Sequence, residues 1–139
     1  MPIAYVNQVG GQDELVFDGS SVVIDAGGAV VARAPAFEAT TLRASLSLGQ
    51  TRSAGHIDRD PAGVEAEAYS ALLCGIRDYV GKNRFPGAIV GVSGGIDSAL
   101  VLALACDALG AEAVTGVSMP SPYNTSATRS DAIELIERL

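Results

Sequence analysis

The chain predicts an α/β fold whose C-terminal part is built on a parallel sheet, and three observations carry that prediction. Residues 88–92 (Ala-Ile-Val-Gly-Val) are a short apolar run of the kind that becomes a buried parallel strand. Residues 99–109 are rich in helix formers and stop at Gly110. Residues 113–118 (Ala-Val-Thr-Gly-Val-Ser) form a second apolar run, so strand, helix and strand make one βαβ unit, expected to be right-handed.

Upstream, residues 1–37 read as short strands. Residues 3–8 form the first, which Gly10-Gly11 is expected to break, and residues 14–17 form a second that ends at Asp18-Gly19. Residues 21–25 and 29–33 flank Ala26-Gly27-Gly28, a spacing that predicts an antiparallel hairpin because glycine readily takes the positive φ of tight turns. Strands this short do not make a stable core alone, so they read as the tail of a larger sheet. Between residues 43 and 64 the pattern has little period. Residues 49–63 read as a linker with a turn at Asp60-Pro61-Ala62-Gly63, although 41–48 also suits an edge strand.

Residues 65–82 then predict an amphipathic helix whose apolar stripe is Ala68, Leu72, Ile76 and Val80, widened by Tyr69 and Leu73. Phe85-Pro86-Gly87 closes it. After the βαβ unit, residues 119–126 fall at the carboxyl edge of the sheet, facing the loop from the neighbouring strand. A last helix is expected over 128–139, with Thr128 and Asp131 as a capping box and Ile133, Leu135, Ile136 and Leu139 as its buried side.

The chemistry concentrates in Gly91-Val92-Ser93-Gly94-Gly95-Ile96-Asp97-Ser98, between the strand at 88 and the helix that follows. Ligands of open α/β sheets bind at the carboxyl ends of strands. Gly94 and Gly95 let the backbone turn sharply, and the helix start offers unpaired N–H groups and a positive dipole end, so the expected guest is a phosphate. Ser93 and Ser98 add hydroxyl donors. The loop lacks the lysine of a G-x-x-x-x-G-K-[ST] loop and the spacing of G-x-G-x-x-G. Asp97 stands there instead. A carboxylate beside phosphate is repelled unless a divalent metal lies between them, which points to Mg²⁺ with Asp97 as one oxygen ligand. The bland alternative is a tight turn in which Asp97 or Ser98 caps the helix.

Composition excludes several classes. The 139 residues carry 9 basic against 16 acidic side chains, a net charge of −7, with no Lys/Arg cluster, so a nucleic-acid backbone is not the expected partner. No apolar run reaches the length of a membrane span, and the residues after Met1 lack the basic flank and apolar core of a signal peptide, so neither span nor export is expected. Cys74 and Cys106 fall in apolar helical stretches and read as reduced, buried thiols of a cytoplasmic protein. The single histidine, His56, reads as a surface residue. The acidic trio Asp13, Glu14 and Asp18 reads as solvated or structural first, and as a domain contact second.

Residues 90–100, from Val90 through Ser93-Gly94-Gly95-Ile96-Asp97-Ser98 to Leu100, resemble the pyrophosphate loop of the adenine-nucleotide α-hydrolase-like ATP pyrophosphatases. Residues 5–21 resemble the closing part of a nitrilase-like glutaminase domain, and Gly116-Val117-Ser118-Met119-Pro120-Ser121 followed by Tyr123 resembles the segment after the second synthetase strand. Together they resemble the glutamine-dependent NAD synthetase family. That resemblance implies the end of a nitrilase-like α/β sandwich over 1–48, a linker over 49–64 and the first part of a Rossmann-like synthetase domain over 65–139. It implies ATP-dependent amidation of nicotinic acid adenine dinucleotide with glutamine-derived ammonia through an adenylated intermediate, in a homo-oligomer when intact. By the same likeness Gly91, Val92, Ser93, Gly94, Gly95, Ile96, Asp97, Ser98 and Met119 would form the ATP site, with Asp97 on Mg²⁺. The family's Glu-Lys-Cys glutaminase triad is expected upstream of Met1, since neither Cys74 nor Cys106 matches it, and the later synthetase strands beyond Leu139. The chain therefore reads as a fragment, in which neither glutamine hydrolysis nor complete ligation is expected. The alternatives are another ATP pyrophosphatase-type amidating enzyme and a noncatalytic ATP-binding or interaction module.

Overall fold

Short antiparallel pairs make up the first part of the chain in the computed structural model, which describes residues 1–46, 54–58, 63–119 and 126–139. β1 (Ile3–Tyr5), β4 (Val22–Ile24) and β5 (Val30–Arg33) form one sheet in the order β1-β4-β5. β2 (Val9–Gln12) and β3 (Leu15–Asp18) form a separate hairpin, and β6 (Ala44–Ser45) pairs with β7 (Ala54–Gly55). All these pairings are antiparallel.

The expected break at Gly10-Gly11 is not there. Both glycines are buried inside β2 and pair with Phe17 and Val16. Glycine weakens a strand without ending it when a neighbouring strand supplies the ladder. The chain instead reverses at Asp13-Glu14, where Asp13 takes a φ of 53°, and β1 is shorter than expected, ending at Tyr5.

The hairpin around Ala26-Gly27-Gly28 is present, and a single side chain organises it. Asp25, only 8% exposed, accepts hydrogen bonds at Oδ1 from the N–H groups of Gly27 (2.8 Å) and Ala29 (3.0 Å). The Asp25 N–H donates to the Ala29 carbonyl (2.9 Å), and Gly28, at φ 88°, donates to the Asp25 carbonyl (3.1 Å). Within the stretch read as a linker, β7 pairs with β6 and Ile57 bridges Arg33. The expected turn at residues 60–63 lies outside the described residues apart from Gly63.

α1 (Val64–Lys82) carries glutamates in its first turn and Lys82 in its last, complementing the helix dipole. Its stripe is narrower than expected: Ala68 is exposed and Leu72 is 50% exposed, while Tyr69, Leu73, Ile76 and Val80 are half-buried and Cys74 is buried. Its end is well defined. Phe85 N–H donates to the Val80 carbonyl (3.0 Å) and Arg84 N–H to the Gly81 carbonyl (3.0 Å), with Arg84 at φ 58°. This is the Schellman pattern, and its usual apolar contact is the Tyr79–Phe85 ring pair, 6.0 Å apart.

Two compact units divide the chain, Met1–Gly75 and Ile76–Leu139. In the second, β8 (Ala88–Val92) and β9 (Val114–Ser118) pair in parallel from Ala88↔Val114 to Val92↔Ser118, joined through α2 (Ile96–Leu109) and a 3-10 turn at Ala111–Ala113. The core is Val90, Val92, Leu102, Ala105 and Ala132, with Cys106, Val114, Leu135 and Ile136 packed against it. Arg77 Nε–H donates to the Ala108 carbonyl (3.3 Å), a cation placed at the C-terminal end of α2.

α3 (Ser126–Arg138) starts earlier than expected, so Thr128 lies inside the helix and not at its N-cap. Its buried anchor is Ala132, 1% exposed, flanked by Leu135 and Ile136, whereas Ile133 (44%) and Leu139 (42%) are exposed. A small residue lets the helix approach the sheet closely: a Cβ on Gly116 would stand 2.7 Å from Ile136 Cγ1.

Candidate phosphate-binding site

The loop that carries the chemistry starts at the last residue of β8 and runs into α2. Val92 is 1% exposed and anchors it from below. Ser93, Gly95, Ile96 and Asp97 are exposed above that anchor, and Gly94 and Ser98 are half-buried. Gly94 takes a φ of 86°, a left-handed conformation that an L side chain occupies only under strain. Gly95 follows in extended conformation (φ −90°, ψ 158°) as the N-cap of α2.

No side chain caps that helix. The reading in which Asp97 or Ser98 serves as an ordinary cap is therefore not what the structure shows. The first intrahelical bond runs from Ala99 N–H to the Gly95 carbonyl (3.1 Å), and the amides before it have no helical acceptor. Two loop amides are occupied: Ser93 N–H donates to Ser98 Oγ (3.2 Å) and Gly95 N–H to Ser93 Oγ (3.3 Å). Among the described residues, no hydrogen bond takes up the N–H groups of Gly94, Ile96, Asp97 or Ser98. These four donors sit around one exposed helix start.

The two serine hydroxyls are turned inward. Ser98 Oγ lies 2.9 Å from the Gly95 carbonyl, and Ser93 Oγ lies 3.1 Å from Ser98 Oγ. Asp97 is exposed in the first turn of α2. Among the described residues no group of three or more His, Cys, Asp or Glu side chains is arranged to hold a metal. A lone exposed carboxylate suits Mg²⁺ that arrives on a polyphosphate, because that ion keeps several waters and takes one or two carboxylates plus phosphate oxygens. It does not suit an ion caged by the protein alone.

Met119 follows β9 at the same sheet edge and is 68% exposed. Its Cε would lie 2.7 Å from a Cβ on Gly91, so the Met119 methyl rests over the glycine in β8. Residues 120–125 of the segment expected to face the loop lie outside the described residues. A separate concavity of about 420 Å³ lies in the first unit, lined by Tyr5, Asn7, Ser21, Pro35 and Glu38 among others, none of them a loop residue. Beside it, Asn7 Nδ2–H donates to Asp18 Oδ1 (2.7 Å), which gives Asp18 a structural partner.

Neither cysteine belongs to the loop. Neither forms a disulfide; Cys74 is buried, and Cys106 is half-buried and packs against the core of the second unit. Burial pushes the Cys106 thiol pKa upward, and the neighbouring Asp107 carboxylate adds to the shift. A raised thiol pKa disfavours the reactive thiolate, in keeping with the packing of Cys106 against the core. Among the described residues, no helix is long and apolar enough to cross a membrane.

Sequence comparison divides the chain in the same order as the fold. Residues 1–56 match the carbon-nitrogen hydrolase family, and residues 68–139 match NAD synthase. The chain is 41% identical over 169 aligned positions to a glutamine-dependent NAD(+) synthetase of Aquifex aeolicus, covering 99% of this chain and 30% of that protein. It is 45% identical over 138 positions to the glutamine-dependent NAD(+) synthetase of Acinetobacter baylyi, covering 99% of this chain and 25% of the relative. Among solved structures, a glutamine-dependent NAD+ synthetase from Acinetobacter baumannii in complex with adenosine diphosphate aligns with a TM-score of 0.93 at 43% identity, covering 99% of this chain and 26% of that one. The chain thus spans between a quarter and a third of the length of these relatives.

Proposed function

The chain belongs to the NAD synthase family, and from that premise we propose that it supplies the ATP phosphate loop of a glutamine-dependent NAD synthetase, together with the end of the ammonia-generating domain that precedes it. The observation that carries this reading is the set of four loop amides, at Gly94, Ile96, Asp97 and Ser98, without an acceptor among the described residues at the start of α2. The similar solved structure was determined with adenosine diphosphate, which agrees with a nucleotide guest. The carbon-nitrogen hydrolase match ahead of the NAD synthase match favours this family over other enzymes that share the loop. On this reading residues 1–48 end the first domain, 49–64 link the two, and 65–139 begin the synthetase domain.

The reaction is an amidation driven by ATP. The carboxylate of nicotinic acid adenine dinucleotide attacks the α-phosphorus of ATP, pyrophosphate leaves, and ammonia released from glutamine displaces AMP to give NAD. Negative charge accumulates on the departing pyrophosphate. Fixed N–H donors and the positive end of α2 stabilise that charge without having to reorganise, which is how such sites accelerate transfer. Mg²⁺ would supply charge neutralisation between the phosphates and the Asp97 carboxylate. Asp97 would hold the ion, Gly94 and Gly95 would leave room for phosphate oxygens, and Ile96 and Met119 would bound the nucleotide, whereas Val92 is buried in the core and Gly91 is covered by the Met119 methyl, so neither faces the guest as the resemblance implied. No side chain of this loop needs to act as nucleophile, because the substrate provides the attacking oxygen.

Titration of the ¹⁵N-labelled chain with Mg²⁺ and ATP tests the site. The amides of Gly94, Ile96, Asp97 and Ser98 should shift most, and Asp97→Asn should remove the Mg²⁺ dependence of that response. In the full-length protein the same substitution should slow pyrophosphate release about a hundredfold, the usual effect of losing one preorganised charge contact. Loop amides that stay unmoved at saturating Mg²⁺-ATP, or wild-type rates in Asp97→Asn, would overturn the reading.

A further inference from the structure

We propose that Gly91 is a positioning residue for the base of the nucleotide: the space left by its missing side chain seats the Met119 methyl, and that seat fixes an apolar edge for the base. The inference rests on the nucleotide reading above and concerns the adenosine end of the guest. A glycine inside a strand weakens it, so its presence in β8 needs a reason. Backbone conformation is not that reason, because Gly91 is not among the glycines at positive φ. Space is. A Cβ on Gly91 would stand 2.7 Å from Met119 Cε, well inside the roughly 3.5–4.0 Å at which carbons pack.

Strand register brings the two residues together. Gly91 pairs with Val117, and residues two apart share a face, so Met119 follows Val117 on the Gly91 side of the sheet. Val90 and Val92 belong to the opposite face, in the core with Leu102 and Ala105 of α2. On that covered face a second strand glycine, Gly116, receives Ile136 of α3 in the same way, and the contact there is core packing. Met119 differs in being 68% exposed. Its methyl is seated while the rest of the thioether stays accessible at the carboxyl edge of the sheet. A methionine side chain turns about three bonds and makes favourable contacts with aromatic rings, so seating its tip removes freedom that a bound base would otherwise have to remove. An alanine at position 91 would meet only the free end of this flexible side chain. The methyl would swing away, sparing the fold and losing the fixed edge.

The test compares Gly91→Ala, Met119→Ala and the double variant of the full chain, with Mg²⁺-ATP and Mg²⁺-pyrophosphate as probes. Gly91→Ala should weaken Mg²⁺-ATP binding about fivefold, the size of a lost thioether–aromatic contact, and leave Mg²⁺-pyrophosphate affinity within about twofold. In the Met119→Ala background the same change should weaken ATP binding no further, because the residue it acts through is gone. Equal losses for ATP and pyrophosphate, or a loss that persists without Met119, would overturn the proposal. A methyl-labelled sample checks the seat without any ligand: a nuclear Overhauser contact between the Met119 methyl and the Gly91 α-protons should appear in the wild-type chain and vanish in Gly91→Ala. Its absence from the wild type would overturn the seat. Failure of the nucleotide reading has a separate signature, a wild-type chain that binds neither probe, and that result would overturn the base role along with the reading; an unchanged ATP affinity in Gly91→Ala would overturn the base role alone.

Discussion

Two Gly-Gly turns in this chain, Ala26-Gly27-Gly28 and Ser93-Gly94-Gly95, each place one glycine at nearly the same positive φ, for opposite ends. Gly28 sits at φ 88° and Gly94 at φ 86°. In the first turn the buried Asp25 carboxylate accepts from Gly27 and Ala29, and backbone carbonyls take the N–H groups of Asp25 and Gly28. That turn is closed to any guest. In the second, the nearby carboxylate of Asp97 is exposed, two small hydroxyls hold the backbone, and four amides remain without an acceptor among the described residues. A pair of glycines is therefore no binding signal by itself; what matters is whether the amides it exposes already have acceptors.

The largest expected effect tests that contrast directly. Asp25→Ala removes one acceptor serving two amides in a buried turn, and should lower stability by about 2 kcal/mol in denaturant unfolding, in the range for hydrogen bonds to a charged group. Asp25→Asn keeps the Oδ1 acceptor and should recover part of the loss. Asp97→Ala, by contrast, should change stability by less than about 0.5 kcal/mol, as exposed substitutions usually do. A larger stability loss at Asp97 than at Asp25 would mean that the functional and structural roles have been exchanged.

A smaller and better matched effect comes from the glycines themselves. Gly28→Ala meets nothing within 4 Å, so its cost is the left-handed backbone alone, about 1 kcal/mol. Gly94→Ala carries the same strain. Only the second should also weaken binding of Mg²⁺-ATP, because only there does the strained residue hold amides for a ligand. Equal ATP affinity in both variants would remove the distinction between the two turns.

How much of this was legible in the sequence depended on the range of the interaction. The βαβ unit could be read from residues 88–118 because apolar runs and a helix-forming stretch are local signals, and β8, α2 and β9 occupy those runs. The β4–β5 hairpin was equally local. The loop's residue types were legible, but the inward direction of its hydroxyls was not, since it depends on a five-residue separation closed by the turn at Gly94. Gly10-Gly11 looked like a break because glycine has no strand propensity, and pairing with β3 overrode that preference. Leu72 and Ile133 looked buried from helical spacing alone, while tertiary packing placed Cys74 and Ala132 inside. Asp25 read as part of a strand. Its role appears only when the turn brings the Gly27 and Ala29 amides to it.

The smallest effect separates the helix that carries the binding loop from the sheet that carries the closed turn. Cys106 lies on α2 with its thiol pKa raised, by burial first and by Asp107 second. As pH rises past the ordinary thiol value of about 8.5, an unfolded chain releases the proton before the folded one does. The unfolded state then binds fewer protons, and stability falls with pH. Below that value the contribution is fully present; it is lost as pH climbs through the raised folded value. Amide exchange followed from pH 7 into the alkaline range should show a weak loosening of α2 that Cys106→Ala abolishes, with no matching change at the Asp25 turn. Iodoacetamide should also alkylate Cys106 more slowly than a peptide cysteine at pH 8. A slope that survives in Cys106→Ala, or that appears equally around Asp25, would show that the alkaline response does not originate in this thiol.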